Sequence, residues 1–198
     1  MILIIALAAS IAVALLRGGR FAGLASLQVR CGLLAVLAFA VQTLFIYQKP
    51  VQKVTGVWGW QEAALMGSYL LLLATTWANR HLHGMALITL GLILNLVVMA
   101  ANGGWMPIAP EAVRRAGFAR LAPSLTPGMR VFSSKDIILL RVQTRLWFLS
   151  DIFVLSKPFP VASVFCVGDV VSALGAFALL QKGMLGHPGR PHAESSQE

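Results

Sequence analysis

Residues 85–101 read MALITLGLILNLVVMAA, seventeen positions without a charge, and Asn102-Gly103-Gly104-Trp105-Met106-Pro107 closes the run. That length is at the short end for a helix crossing about 30 Å of hydrocarbon, for which roughly 17–25 residues are needed. Working outward, four further apolar runs of similar length cover residues 1–16, 31–47, 58–77 and 161–180. Trp58, Trp60 and Trp77 lie near the ends of the third, where indoles favour a membrane–water interface. Ala and Gly are plentiful, which suits close helix packing. The expectation is an all-α, polytopic integral membrane protein of about five transmembrane helices, with residues 1–182 forming one membrane domain.

Composition agrees with this reading. Of 198 residues, 58% are hydrophobic and 12% charged, and the mean hydropathy is +0.78. A soluble domain carries about a quarter charged residues. The 16 basic and 7 acidic residues give a net charge of +9, but the basic ones are scattered among connectors and form no continuous stripe. Nucleic acid is therefore not an expected partner, whereas anionic lipid headgroups are. Cys31 and Cys166 have neither metal-ligand spacing nor a nearby second cysteine and read as buried thiols. The first run has no basic residues before it and no small-residue cleavage pattern after it, so a removable signal peptide is not expected.

Residues 102–160 form one long connector, opened by a Gly-Gly turn. Within it, Ser133 or Ser134 is placed to cap a helix. Ile138, Val142, Leu146, Leu149 and Phe153 then form a helical stripe, with Lys135, Arg141 and Arg145 elsewhere on the surface. The spacing predicts an interfacial amphipathic helix over 133–153. Asn102 and Trp105 in the turn, with Arg141 and Arg145, are the candidates for lining a substrate site. Residues 183–198 are polar and rich in Pro, Gly and Ser, and read as a flexible tail.

An ionisable group at membrane depth is a functional candidate by default. Glu62 lies near the start of the third run and is read as structural, paired with Lys49 or Lys53. Asp151 and Asp169 flank the turn Lys157-Pro158-Phe159-Pro160, so their carboxyls can face each other. Two carboxyls in one site cannot both ionise easily; one keeps a proton while the other activates water. The competing reading pairs Asp169 with Arg141 or Arg145 as an architectural lock. His81 and His83 flank Leu82 beside Arg80 and read as an interfacial cationic cluster, since no third metal ligand is evident. No phosphate-binding loop, nucleophile elbow or haem motif is present, and no cofactor or metal is expected.

Two resemblances rest on these residues. Asn102-Gly103-Gly104-x-Met106-Pro107, Leu149-x-Asp151 and Phe165-x-Val167-Gly168-Asp169 together resemble a bacterial membrane family, the domain of unknown function 5317. That likeness implies a small polytopic protein of the bacterial inner membrane and supplies no activity. Locally, Asp151-Ile152-Phe153, Phe159-Pro160, Phe165-x-Val167-x-Asp169 and Gly175 are similar to the end of lipoprotein signal peptidases, whose two aspartates are catalytic. The resemblance implies an Asp151/Asp169 dyad acting on a lipid-anchored or transmembrane peptide. Cys166 and Gly168 stand where that family has Asn and Ala, and its Gly-Asn-x-x-Asp-Arg motif is missing. The alternative is a non-enzymatic accessory subunit of a larger membrane complex, or a small-solute carrier, although no internal repeat supports the carrier. Arg17, Arg20, Arg30, Arg80 and the tail's Lys182 and Arg190 favour a cytoplasmic C-terminus. The N-terminus and the long connector are then external, with the connector's own basic residues discounted for its length.

Overall fold

A computed structural model describes residues 2–25, 27–47, 59–118, 125–131, 134–156, 158–159 and 162–186. The five apolar runs are helical in part. They give α1 (Ile2–Leu16), α3 (Gly32–Val41, continued by a π-helical turn over Gln42–Tyr47), α4 (Trp60–Ala78), α5 (Met85–Ala101) and α7 (Val167–Leu185). Short α2 (Ala22–Ala25) and α6 (Pro110–Arg115) fill two connectors. The large helices pack in the order α1, α7, α5, α4, α3, so the last helix inserts between the first and the fifth. Buried hydrogen bonds link the neighbours. Gln181 Nε2 donates to Ser10 O (2.7 Å), Gln42 Nε2 donates to Ser68 Oγ (2.9 Å), and Asn79 exchanges bonds of 2.7 Å with the Arg30 backbone.

The expected five-span architecture is not what the chain forms: among the described residues, no helix is long and apolar enough to cross a membrane. The reason lies in length and polarity together. α1 and α5, at 15 and 17 residues, rise only about 22 and 25 Å against about 30 Å of hydrocarbon. α4 and α7 reach 19 residues but carry Gln61 and Glu62, and Asp169, Gln181 and Lys182, respectively. The class is also not all-α, because two two-stranded sheets are present.

Those sheets replace the interfacial helix expected over 133–153. β1 (Met106–Ile108) pairs in parallel with β2 (Asp136–Ile138), and β3 (Phe153–Leu155) pairs antiparallel with β4 (Ser163–Phe165). Single 3-10 turns occupy Arg141–Gln143 and Trp147–Leu149. The apolar spacing was helical, but local chemistry defeats it. Ile137 and Ile138 are β-branched and find strand partners, and Leu146 takes φ 52°, which no α-helix accommodates. β4 likewise delays the last helix, so α7 starts at Val167 and not at 161. Ser133, Lys157, Pro160 and the tail beyond residue 186 lie outside the described residues, while 183–185 belong to α7 and not to a tail.

β1 is the organising strand. Met106 N–H donates to Lys135 O (3.0 Å) on one side, and Asp151 N–H donates to Pro107 O (3.1 Å) on the other. Below it, Leu65, Tyr69, Val98, Met99, Trp105, Met106, Ile137 and Cys166 form the main apolar core. Helices α5 and α7 approach through small residues. A Cβ on Gly168 would collide with Asn95 Oδ1 and lie 2.7 Å from Gly91 O. Gly168→Ala should therefore cost about 1–3 kcal/mol, as overpacking generally does. Gly67→Ala, on α4 with open space around it, should be neutral or gain up to about 1 kcal/mol. Thermal unfolding of the two variants, run side by side, checks the contrast.

Candidate functional site

The N-terminus of α7 meets the strand layer at a cluster of ionisable side chains. Cys166 is the N-cap, and the Asp169 N–H donates to its Sγ (3.4 Å), a sulfur version of the Ser/Thr cap. The Cys166 thiol in turn donates to Asn95 Oδ1 (2.9 Å), and Asn95 Nδ2 donates to Asp169 Oδ1 (2.8 Å). A helix first turn also favours the Asp169 charge through the macrodipole. Lys135, delivered by the residue before β2, sets its ammonium 3.8 Å from Asp169 Oδ1. Asp151 arrives from the other side of β1, where it bridges to Ile108, and Asp136 lies within β2.

One carboxylate oxygen of Asp151, one of Asp169 and the Cys166 sulfur all lie within 4.8 Å of one another. Asp151 is 2% exposed, whereas the side chains of Asp169 and Lys135 are 23% and 16% exposed. The site thus has a wet edge and a dry floor.

The two aspartates are driven to opposite charge states. Burial raises the Asp151 carboxyl well above the ordinary aspartate range; the Asp136 and Asp169 charges add to this and Lys135 only partly opposes it. Burial also pushes Asp169 up, but Lys135, the Asn95 amide and Cys166 override it and hold the carboxyl below its usual value. Asp136 is raised by burial against the pull of Lys135 and Ser134. Asp136 and Asp151 each keep one buried carboxyl oxygen without a hydrogen-bond partner, which disfavours the charge on both. Lys135 stays charged despite its burial, chiefly because the Asp169 carboxylate lies beside it. Burial pushes the Cys166 thiol up, so it stays protonated.

Asp151, Cys166 and Asp169 offer a ligand set that a divalent cation accepts. Lys135 already supplies a cation to Asp169, and a metal would have to displace both it and the thiol proton.

The remaining sequence candidates fall elsewhere. Trp105 is buried; its Nε1 donates to Glu62 Oε1 (2.8 Å), and the Arg130 guanidinium stacks 4.0 Å over its ring. Glu62 also accepts from Gly59 N–H (3.0 Å), while Lys49 and Lys53 lie outside the described residues. Asn102 and Arg145 bind each other through side chain and backbone (both 2.9 Å), which fastens the turn after α5 to the second 3-10 turn. Arg141 stacks 3.6 Å over Trp147. The cation at Asp169 is Lys135, neither Arg141 nor Arg145. Cys31 is exposed and not buried.

The sequence analysis does not name Asn95 or Asp136, places Lys135 on a helix surface, and reads Cys166 only as a buried thiol, which it is. Asn95 is the lone amide in the run 85–101, and a buried amide demands partners. Cys166-x-x-Asp169 has the spacing of a helix-capping pair.

Residues 26–181, which hold the whole cluster, match the family of unknown function DUF5317. The chain belongs to this family. No curated protein and no solved structure matches it. The DUF5317 match covers α3 through most of α7, so the site is a feature of the matched region and not of an appendage.

The charge assignments separate the two aspartates in stability measurements. Below about pH 4, where the unfolded chain also holds the proton, Asp151→Asn exchanges one neutral hydrogen-bonding group for another and should change stability by less than about 1 kcal/mol. At higher pH the variant should gain, because only the wild type must take up a proton on folding. Asp169→Asn strands Lys135 and should cost about 2–3 kcal/mol, less than the roughly 3–5 kcal/mol of a fully buried pair because this one is partly exposed. The pH profile gives the sign. A raised Asp151 pKa means that the folded state holds a proton the unfolded state releases above about pH 4, so this group's contribution is lost as pH rises. Asp136 acts in the same direction, and the lowered Asp169 acts oppositely, losing its contribution as pH falls below about 4. Melting temperature against pH should flatten above about pH 4 in Asp151→Asn relative to wild type.

Proposed function

We propose that this DUF5317 protein is an aspartyl hydrolase that cleaves an apolar peptide at a lipid surface, with Asp151 as general acid and Asp169 as general base. The observation that carries the reading is a pair of carboxyl oxygens within 4.8 Å of each other and biased in opposite directions, one pushed toward its protonated form by burial and one held toward its ionised form beside Lys135. In the step, Asp169 takes a proton from water as the water oxygen bonds to the peptide carbonyl carbon. Asp151 donates its proton to the carbonyl oxygen. In the collapse of the adduct Asp151 takes back the hydroxyl proton as the C=O re-forms. The C–N bond breaks, and the amine leaves with the proton held by Asp169, so both carboxyls return to their starting states. A protonated acid beside an ionised base is what such a step needs.

The lipid surface is supported by exposed apolar residues on several helices, Leu33 (79%) and Phe39 (68%) on α3 among them, with Leu70 and Trp77 on α4. Large apolar side chains exposed in this number favour a lipid or protein contact. The local likeness to lipoprotein signal peptidases points to the same substrate class. The ion pair of Lys135 with Asp169 favours the second reading, a non-enzymatic accessory subunit whose cluster simply joins α7 to the strand layer.

One experiment separates the two. The full chain in neutral detergent is titrated with apolar peptides in which a secondary hydroxyl replaces one amide, a mimic of the tetrahedral adduct, and binding is followed by calorimetry. The hydrolase binds such a peptide and loses at least about a hundredfold in affinity in Asp151→Asn, with no loss of melting temperature. Absence of binding across the series, or equal binding by Asp151→Asn, would overturn the hydrolase and leave the accessory role.

A further inference from the structure

At the opposite end of α7, three elements converge on a cleft that the acidic site does not use. Arg17 follows α1, His83 comes from the connector between α4 and α5, and Lys182 lies in the last turn of α7. Together with Phe177, Ala178 and Leu185 they line a cavity of about 440 Å³ whose lining, among the described residues, contains no carboxylate.

The cleft is built and not merely a scatter of surface charge. Arg17 Nη1 donates to Gln181 Oε1 (3.1 Å), and Gln181 is itself buried and fixed by donating to Ser10 O (2.7 Å) and Ser10 Oγ (3.2 Å). Ser10 Oγ donates to Phe177 O (3.2 Å), and Arg20 N–H donates to Met184 O (2.9 Å), so α1 and the residues that follow it are joined to the last turns of α7 at two further points. A buried amide relay thus aims the guanidinium. Basic residues near helix C-termini do offset the carbonyl dipoles, which accounts for the positions of Arg17 and Lys182. It accounts neither for His83, which comes from a third element, nor for the cavity between them.

The walls name the rest of the ligand. Leu185, Ala178 and Leu174 succeed one another on one face of α7 at spacings of seven and four residues, and Leu174 is 58% exposed. An apolar track therefore runs from the cationic mouth along the helix. Leu16, the residue before Arg17, is likewise exposed. A cationic mouth with an apolar track beside it is complementary to a molecule with an anionic head and a hydrocarbon tail.

We infer that the cleft between Arg17, His83 and Lys182 binds a phosphate-bearing amphiphile, with its anionic headgroup at the basic residues and its chain along Ala178 and Leu174. This site is independent of the acid–base reading, since it shares no residue with the Asp151–Asp169 cluster.

The test is calorimetric titration of the full chain in neutral detergent with three probes: dihexanoyl phosphatidylglycerol, dihexanoyl phosphatidylcholine and inorganic phosphate. The anionic lipid should bind at least about tenfold more tightly than the zwitterionic one, in line with roughly fivefold per basic group near an anionic headgroup. Arg17→Gln/Lys182→Gln should erase that preference, while Arg17→Lys/Lys182→Arg should keep most of it. Arg114→Gln, at an exposed position of α6 outside the cleft lining, should leave it intact. Circular dichroism checks that the paired variants are folded; the charge-conserving pair carries the test if the glutamine pair is not. Inorganic phosphate binding as tightly as the anionic lipid would remove the hydrocarbon part of the proposal. An undiminished preference in the folded glutamine pair, or loss of it in the charge-conserving pair, would overturn the site.

Discussion

The Lys135 ammonium, 3.8 Å from Asp169, is the contact on which the polar interior depends. Three carboxyls converge near it, and a mostly buried site cannot hold three negative charges against one positive charge. The conflict is resolved unevenly. Asp169 keeps its charge because it has the lysine, the Asn95 amide and the first turn of α7. Asp151, deeper and next to Asp136, gives its charge up. Chemistry and architecture therefore share one constraint. The pair that ties α7 to the strand layer is also the pair that makes the two aspartates unequal.

The strand layer is as important as the helices in reaching this arrangement. Three residues of β1 receive Lys135 and Asp136 along one edge and Asp151 along the other. Pro107, without an N–H, still supplies the carbonyl that accepts from Asp151. Residues far apart in the chain are thereby brought to the Asn95–Asp169 end of the α5–α7 contact, where glycines let the two helices approach within the reach of short side chains.

What the sequence makes legible is the set of apolar runs and the meeting of Asp151 with Asp169. Apolar length is a strong signal, and all five runs contain a helix. It does not report where a helix begins, because a single cap such as Cys166 decides that and a cysteine is a poor advertisement for a cap. Nor does it report whether a helix spans: α4 and α7 have the length, but their polar residues are spent on neighbours inside the fold. The helical stripe from Ile138 to Phe153 misleads for another reason. Period alone cannot distinguish a helix face from two short strands joined by tight turns when each apolar residue finds a separate partner. The lysine partner of Asp169 is invisible because it depends on the parallel register of β1 and β2, which no local pattern encodes.

The glycine contact between α5 and α7 also sets a rotational phase. Gly168 lies against Asn95 and Gly91, and Gly175 against Gly84 and Ile88, so α7 is keyed to α5 at two points two turns apart. Each residue of an α-helix advances about 100° around its axis. Adding or removing one residue between these keys would leave only one of them seated and swing Asp169 away from Lys135 or the lower glycine away from its groove. Length can drift freely in the connectors of such a protein, but within this stretch of α7 it is quantised in whole turns.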